Sequence, residues 1–460
     1  EQQFVSDVMR AMGGQERVAA AKTLTIEGTR TEYNLGQDLK PDQHDQTFAI
    51  DPYRRTIVLT TPRQRVQQRR TPQFAYYQGQ QPQEQIQGLD GTVAFNLNTS
   101  GQATRAGGDA AADRQLEYWH HPLTMAKALL QPSTRVTSVQ TLGMTRQAEV
   151  ATPDRTFVLT TDAKGQPLSM ASRVAHPNLG DVVVMTTFAK YVDVGGIKLP
   201  SELSGKVDNF TTWEVHAARQ ALDEPADGLA APADVAAAPA AAPAPTVTAE
   251  VIAKGAWRLA GQSHHSALIE FRNHLMLIEA PQSESRTLAV IAKATSLVPG
   301  KPLTQLVTTH HHFDHTAGMR AAIAGGMTVI TQTGNKAWVE AMAARPYSIE
   351  PDTLAKHPAR LQVETVDGER EIADQGQQVV LYHLEGNPHS DTLLVAYLPR
   401  DRVLIEVDAF SPGAPANPYA ANLLEHIQKR KWRVDTIVSL HGTNATLSDL
   451  QKAVAAGQGK

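Results

Sequence analysis

Thr308-Thr-His310-His311-His312-Phe313-Asp314-His315-Thr316-Ala317-Gly318 places four potential metal ligands, His310, His312, Asp314 and His315, within six residues. The stretch begins where an apolar, strand-like run (304–308) ends and stops where a helical run begins. It therefore reads as a loop at a sheet edge, where rigid elements present functional side chains. Imidazoles at i and i+2 can turn toward one ion, while the Asp-His pair after them faces a second across the same turn. A plain polar surface loop does not account for such a density of ligands.

Outward from this loop, the second half of the chain alternates strands with helices. Strand patterns occupy 266–271, 274–279, 304–308, 327–331, 379–384, 392–398, 403–407 and 436–440, and helical periodicity occupies 284–298, 334–344 and 417–429. Strands and helices in alternation make this half a layered α/β domain.

Three further residues stand where strands or Gly-rich turns end: His389 in Gly386-Asn387-Pro388-His389, Asp408 after 403–407, and His441 after 436–440. Together with the His-rich loop, their order resembles the metallo-β-lactamase superfamily, whose signature is His-x-His-x-Asp-His, then a distant His, a bridging Asp and a last His. The resemblance implies an αββα fold for 248–460. Carried over residue by residue, it implies His310, His312 and His389 on a first ion, Asp314, His315 and His441 on a second, and Asp408 bridging both. His311 is left without a metal. Glu279 stands where relatives often carry an acidic residue that supports the site. His264-His265 lies in a Gly-rich turn that can approach the site in this fold; it reads as a plain turn, with support of the ligands or contact with substrate as the alternative, and His274 and His383 have no matching position.

The resemblance leads to zinc as the expected metal, because imidazole and carboxylate suit it, with iron or manganese as alternatives. Two ions roughly 3.5–4 Å apart share a water and lower its pKa toward ~7, giving a hydroxide that attacks a carbonyl carbon. Asp314 or Asp408 would then take part in proton transfer. The bridging Asp408 fits the glyoxalase II, lactonase and phosphodiesterase branches, whereas antibiotic-degrading members generally lack it. The expectation is a hydrolase of a small ester, thioester or lactone. Alternatives are a phosphodiesterase using the same centre, a mononuclear iron oxygenase, and a non-catalytic envelope protein that binds lipid.

The first half, 1–221, reads as mainly antiparallel β structure. Short alternating runs recur at 23–27, 56–60, 92–96, 157–160 and 181–185, a Gly195-Gly196 hairpin joins 191–194 to 197–200, and helical patches open the chain and span 113–130. An opening helix, a curved sheet and Val194-Gly-Gly-Ile-Lys-Leu-Pro200 resemble the half-barrel lipoprotein carriers of bacterial envelopes, which implies a lipid or other hydrophobic ligand for this half. His120-His121 reads as structural, since neighbouring helical histidines point apart. Between the halves, 16 of the 21 residues from Pro225 to Pro245 are Ala or Pro, so 222–247 is expected to be an extended linker.

Composition bounds the rest. With 460 residues, the chain is long enough for two to four domains at ~100–200 residues each. The balance of 43 Lys and Arg against 47 Asp and Glu argues against nucleic acid as a partner. The absence of cysteine excludes disulfides, thiolate metal sites and a cysteine nucleophile. No run reaches the ~20 apolar residues of a membrane-spanning helix. The first residue, Glu1, suggests a signal peptide removed ahead of it, and so a periplasmic or secreted protein.

Overall fold

The computed structural model describes residues 1–75, 79–240, 244–374, 376–413 and 418–458. Up to Leu222 the strands form one thirteen-stranded antiparallel sheet. Two meanders meet at its centre, where the first strand, Thr23–Tyr33, pairs with the last, Phe210–Leu222. The outermost strands are Ala103–Arg105 and Arg135–Leu142, and the helices Gly108–Trp119 and Pro122–Leu129 lie between them in the chain.

Alternation explains the sheet. In Thr156–Asp162 every second residue, Phe157, Leu159 and Thr161, is buried, since successive side chains point to opposite faces. The helices cover the apolar face: Phe4, Val8, Met12, Leu123, Met125 and Leu129 pack with Ile26, Ile57, Phe157 and Met170 in one core. The 191–200 hairpin turns on Gly195 and Gly196, both at positive φ, between the paired Val194 and Ile197.

Both helical patches of this half are broken where a single helix was expected. The opening one divides into Gln2–Ala11 and Gln15–Ala20, because Gly13 and Gly14 adopt φ of +116° and +107°. The other divides at His120-His121, where Pro122 starts a new helix and His121 Nδ1 accepts its Leu123 N–H. The Ala/Pro stretch also departs from an extended spacer. It contains a short helix, Ala233–Ala237, with Val235 buried; Pro232 caps its start, and Arg105 Nη1 donates to the Ala236 carbonyl at 2.7 Å. Its residues 241–243 lie outside the described ones.

From Thr248 onward the chain forms two further sheets. A seven-stranded sheet begins with four antiparallel strands, ending in Leu275–Ile278, and continues in parallel through Leu303–Val307, Thr328–Gln332 and Val363–Val366. A five-stranded sheet ends in the parallel pair Val403–Glu406 and Thr436–Ser439. Ile269, Met276 and Val307 of one meet Leu381, Ala396 and Ile405 of the other in a shared core. The outer face of the first carries Val290, Ala294, Ile323 and Val339 from helices, and that of the second carries Leu423, Ile427 and Leu450. With both faces covered, strands such as Leu394–Leu398 are buried at every position. The helix expected at 417–429 is described as Pro418–Arg430; Asn417 lies outside the described residues.

Candidate metal centre

The proposed ligands sit at the ends of these strands. His310–His312 follow Leu303–Val307, and Asp314 and His315 lie in the one-turn helix Phe313–Thr316. His389 lies in the turn after Gln378–His383, Asp408 two residues beyond Val403–Glu406, and His441 two beyond Thr436–Ser439. Because those last two strands are parallel neighbours, Asp408 and His441 emerge side by side.

Among the described residues, two groups could each hold a metal ion. His310, His312, His389 and Asp408 bring one ligand atom each within 4.8 Å of one another, and His264, Asp314, His315 and His441 do the same. Asp408 touches both groups. Its Oδ2 lies 3.1 Å from His389 Nε2, 3.5 Å from His310 Nε2 and 2.8 Å from His315 Nε2, while Oδ1 lies 2.6 Å from His441 Nδ1. Burial opposes its charge, and the imidazoles of His315 and His389 outweigh that, holding the carboxyl well below the usual carboxylate range. Asp408 also holds a backbone φ of +59°, an uncommon conformation for a residue with a side chain. Beneath it, the buried Glu406 accepts from Ala409 N at 2.9 Å and Phe410 N at 3.0 Å, and burial pushes its carboxyl up to about 8.

Supporting bonds set the imidazoles. Glu279, fully buried, accepts from Thr309 N at 2.8 Å through one oxygen and lies 2.9 Å from His315 Nδ1 through the other. His310 Nδ1 meets Thr309 Oγ1 at 2.9 Å. Burial pushes His310 down to about 4, so its imidazole is neutral, the form that binds metals. The buried His312 Nδ1 has no hydrogen-bond partner in its own protein. A buried polar atom left so is costly. Imidazoles and carboxylates converging around such an atom fit divalent cations.

His264 belongs to this constellation although its sequence context reads as a turn. Its ring stacks on His441 with centroids 3.8 Å apart, and its Nε2 lies 3.1 Å from Asp314 Oδ2. The bond from His265 N to the Leu440 carbonyl, 2.7 Å, ties that turn to the His441 loop. His311 is buried but in neither group, His274 pairs with Gln305, and His383 bonds to the Asp391 carbonyl. In the first half, His120 bonds to Ser172 and Thr186 and joins no such group.

The first half also reaches the centre, which the sequence does not announce. Gln37 Nε2 donates to Asp314 Oδ1 at 2.6 Å, and the Asp38 carbonyl lies 2.9 Å from His312 Nε2. Elsewhere between the halves, Asp181 accepts from Ser348 N and Ile349 N, each at 3.0 Å, and Arg345 pairs with Asp208 at 2.6 Å.

No helix among the described residues is long and apolar enough to cross a membrane. No protein-family model matches the chain. Among solved structures, a metallo-β-lactamase from Pontibacter korlensis is similar at 20% identity and a TM-score of 0.38, over 47% of this chain and 100% of its own. One from Hirschia baltica matches at 16% identity and 0.36, over 46% of this chain and 98% of its own. Another, from Pseudomonas aeruginosa in a mono-zinc form, matches at 16% identity and 0.36, over 46% and 96%. All three of these solved structures are metallo-β-lactamases, each matched over less than half of this chain.

Proposed function

We propose that residues 248–460 form an αββα metallo-β-lactamase-type catalytic domain, distinct from an antiparallel domain at 1–221 and joined to it through 222–247. It hydrolyses a small ester, thioester or lactone with two divalent ions, zinc in the first place. The observation that carries this reading is Asp408, whose two oxygens face the two histidine groups at once. His310, His312 and His389 would hold the first ion, and Asp314, His315 and His441 the second, with Asp408 shared. Bound ions supply a water of lowered pKa and positive charge for a developing oxyanion.

The chain's own groups do the rest. Glu279 and Thr309 orient His315 and His310. Asp314, with a third of its side chain exposed, can pass a proton toward a leaving group, whereas Asp408 is almost wholly enclosed. A phosphodiester could be attacked by the same centre. For the lipid-carrier alternative, the apolar face that a lipid would line is filled by the chain's own helices, through Phe4, Val8, Leu123 and Leu129.

The test is a substrate panel on zinc-loaded and chelator-stripped protein: a lactone, a thioester, an aryl ester, a β-lactam and a bis-aryl phosphodiester. Metal-dependent turnover of acyl substrates, lost in Asp408→Asn, supports the reading. Turnover of the phosphodiester alone replaces it with phosphodiesterase chemistry, and no turnover by protein loaded with metal overturns it.

A further inference from the structure

The loop at 34–46 joins the first two strands of the large sheet, yet it lies across the metal centre of the other half. It runs between two of the loops that carry proposed ligands, the one with His310 to His315 and the one with His389. On one side the Gly36 carbonyl accepts from Phe313 N at 3.0 Å, and on the other the Leu39 carbonyl accepts from Asp391 N at 2.9 Å. Gly36 has a φ of +78°, and a Cβ there would lie 2.3 Å from the Phe313 ring, so the loop is seated closely. Asn178, also of the first half, donates to the Phe313 carbonyl at 3.0 Å.

Two of the contacts fall on ligand side chains, one in each group. A carbonyl can only accept, so the Asp38 carbonyl at 2.9 Å requires the proton of His312 to sit on Nε2. That leaves Nδ1 with its lone pair, and Nδ1 is the buried atom without a hydrogen-bond partner. Gln37 acts on the second group. Its amide takes Asp314 Oδ1 at 2.6 Å and leaves Oδ2 facing His264 and His315 at 3.1 Å and 3.6 Å. Outer hydrogen bonds of this kind fix ligand orientation, and losing one typically costs 10–100-fold in metal affinity.

We propose that loop 34–46 is a positioning element of the metal centre, in which Gln37 orients the Asp314 carboxylate and the Asp38 carbonyl selects the metal-binding tautomer of His312. This rests on the two-ion reading above. The consequence is that the centre is completed by the first half of the chain, which then has a role in catalysis without containing a ligand.

The experiment is cobalt(II) titration of the full chain, read by visible absorption and by competition with a chromophoric chelator. The wild type should take up two ions with distinguishable affinities. Gln37→Ala should loosen one ion about 10–100-fold and alter its absorption band, leaving the other ion and the melting temperature of the metal-free protein unchanged. Gly36→Val should loosen both ions by displacing the loop. If that variant does not fold, Gln37→Ala decides alone. Two ions held by Gln37→Ala with wild-type affinity and spectrum overturn the positioning role while leaving the two-ion reading intact. A wild type that takes up fewer than two ions overturns both.

Discussion

Glu279 Oε2 lies 2.9 Å from Nδ1 of His315, both side chains fully enclosed, so a carboxylate buried behind the centre points His315 Nε2 at Asp408, 2.8 Å away. Glu279 does this from a backbone φ of +71°. Residues held in such conformations cluster where function requires them. Glu279→Ala removes this support and also strips the buried Thr309 N–H of its acceptor. The expected result is ~1–3 kcal/mol lower stability of the metal-free protein in urea, and metal affinity reduced about 10–100-fold. Unchanged affinity in equilibrium dialysis would assign Glu279 to folding alone.

His264→Ala tests whether the residue beside His441 takes part in the second group. Its Nε2 is within hydrogen-bond distance of Asp314, at 3.1 Å, and its ring stacks on His441. The variant should weaken the ion proposed for Asp314, His315 and His441 and leave that proposed for His310, His312 and His389. Isothermal titration with zinc should then resolve one weakened and one unaltered event.

Metal should stabilise the second half selectively. Ligand held only by the folded state adds about 2.7 kcal/mol at a hundredfold excess over its dissociation constant. Chelator treatment should therefore lower the protection of strands 403–406 and 436–439 against hydrogen exchange, with little effect on 156–162 in the other half. Uniform loss across both halves would contradict a metal centre confined to the loops described.

In the first half, burial pushes His120 and His121 down to about 3, from near 6.5 in the unfolded chain. Between those values the unfolded state binds more protons, so stability is complete above pH ~6.5 and declines as pH falls toward 3, by up to about 1.4 kcal/mol per pH unit for each histidine. Urea midpoints should drop between pH 7 and pH 5, and His120→Gln should show a shallower drop. Equal slopes for the two proteins would mean that His120 carries no such penalty.

Asp181 joins the halves by accepting two backbone N–H groups, from Ser348 and Ile349. The Ser348 hydroxyl is the main cause of its carboxyl being held down to about 2. Asp181→Ala should speed hydrogen exchange and proteolysis at 345–349 while leaving the large sheet as protected as before.

Legibility of the fold followed burial. Runs with dense apolar residues, such as 275–278 and 394–398, are recognisable because both faces are covered. Arg63–Pro72 is also a strand, but its ten residues contain one valine and eight Arg, Gln or Thr, so nothing in its periodicity announces it; its neighbours on both sides, Thr47–Val58 and Gln83–Asp90, hold it in the sheet. The short helix in the Ala/Pro stretch is hidden for a related reason: the Arg105 contact that holds it comes from tertiary packing.

The sequence by itself determined the donor chemistry of the centre. Local spacing in 310–315 and strand-end positions for His389, Asp408 and His441 are properties of short segments, and short segments are what a chain encodes directly. Only the tertiary structure decided that Asp408 faces both histidine groups, that His264 joins the second, and that Gln37 and Asp38 reach across from 277 and 274 residues away along the chain. Such contacts leave no local mark, because a glutamine in a polar loop has the same pattern whether it meets water or a ligand carboxylate. What separates the two cases is the path of the backbone, set by the packing of the whole molecule.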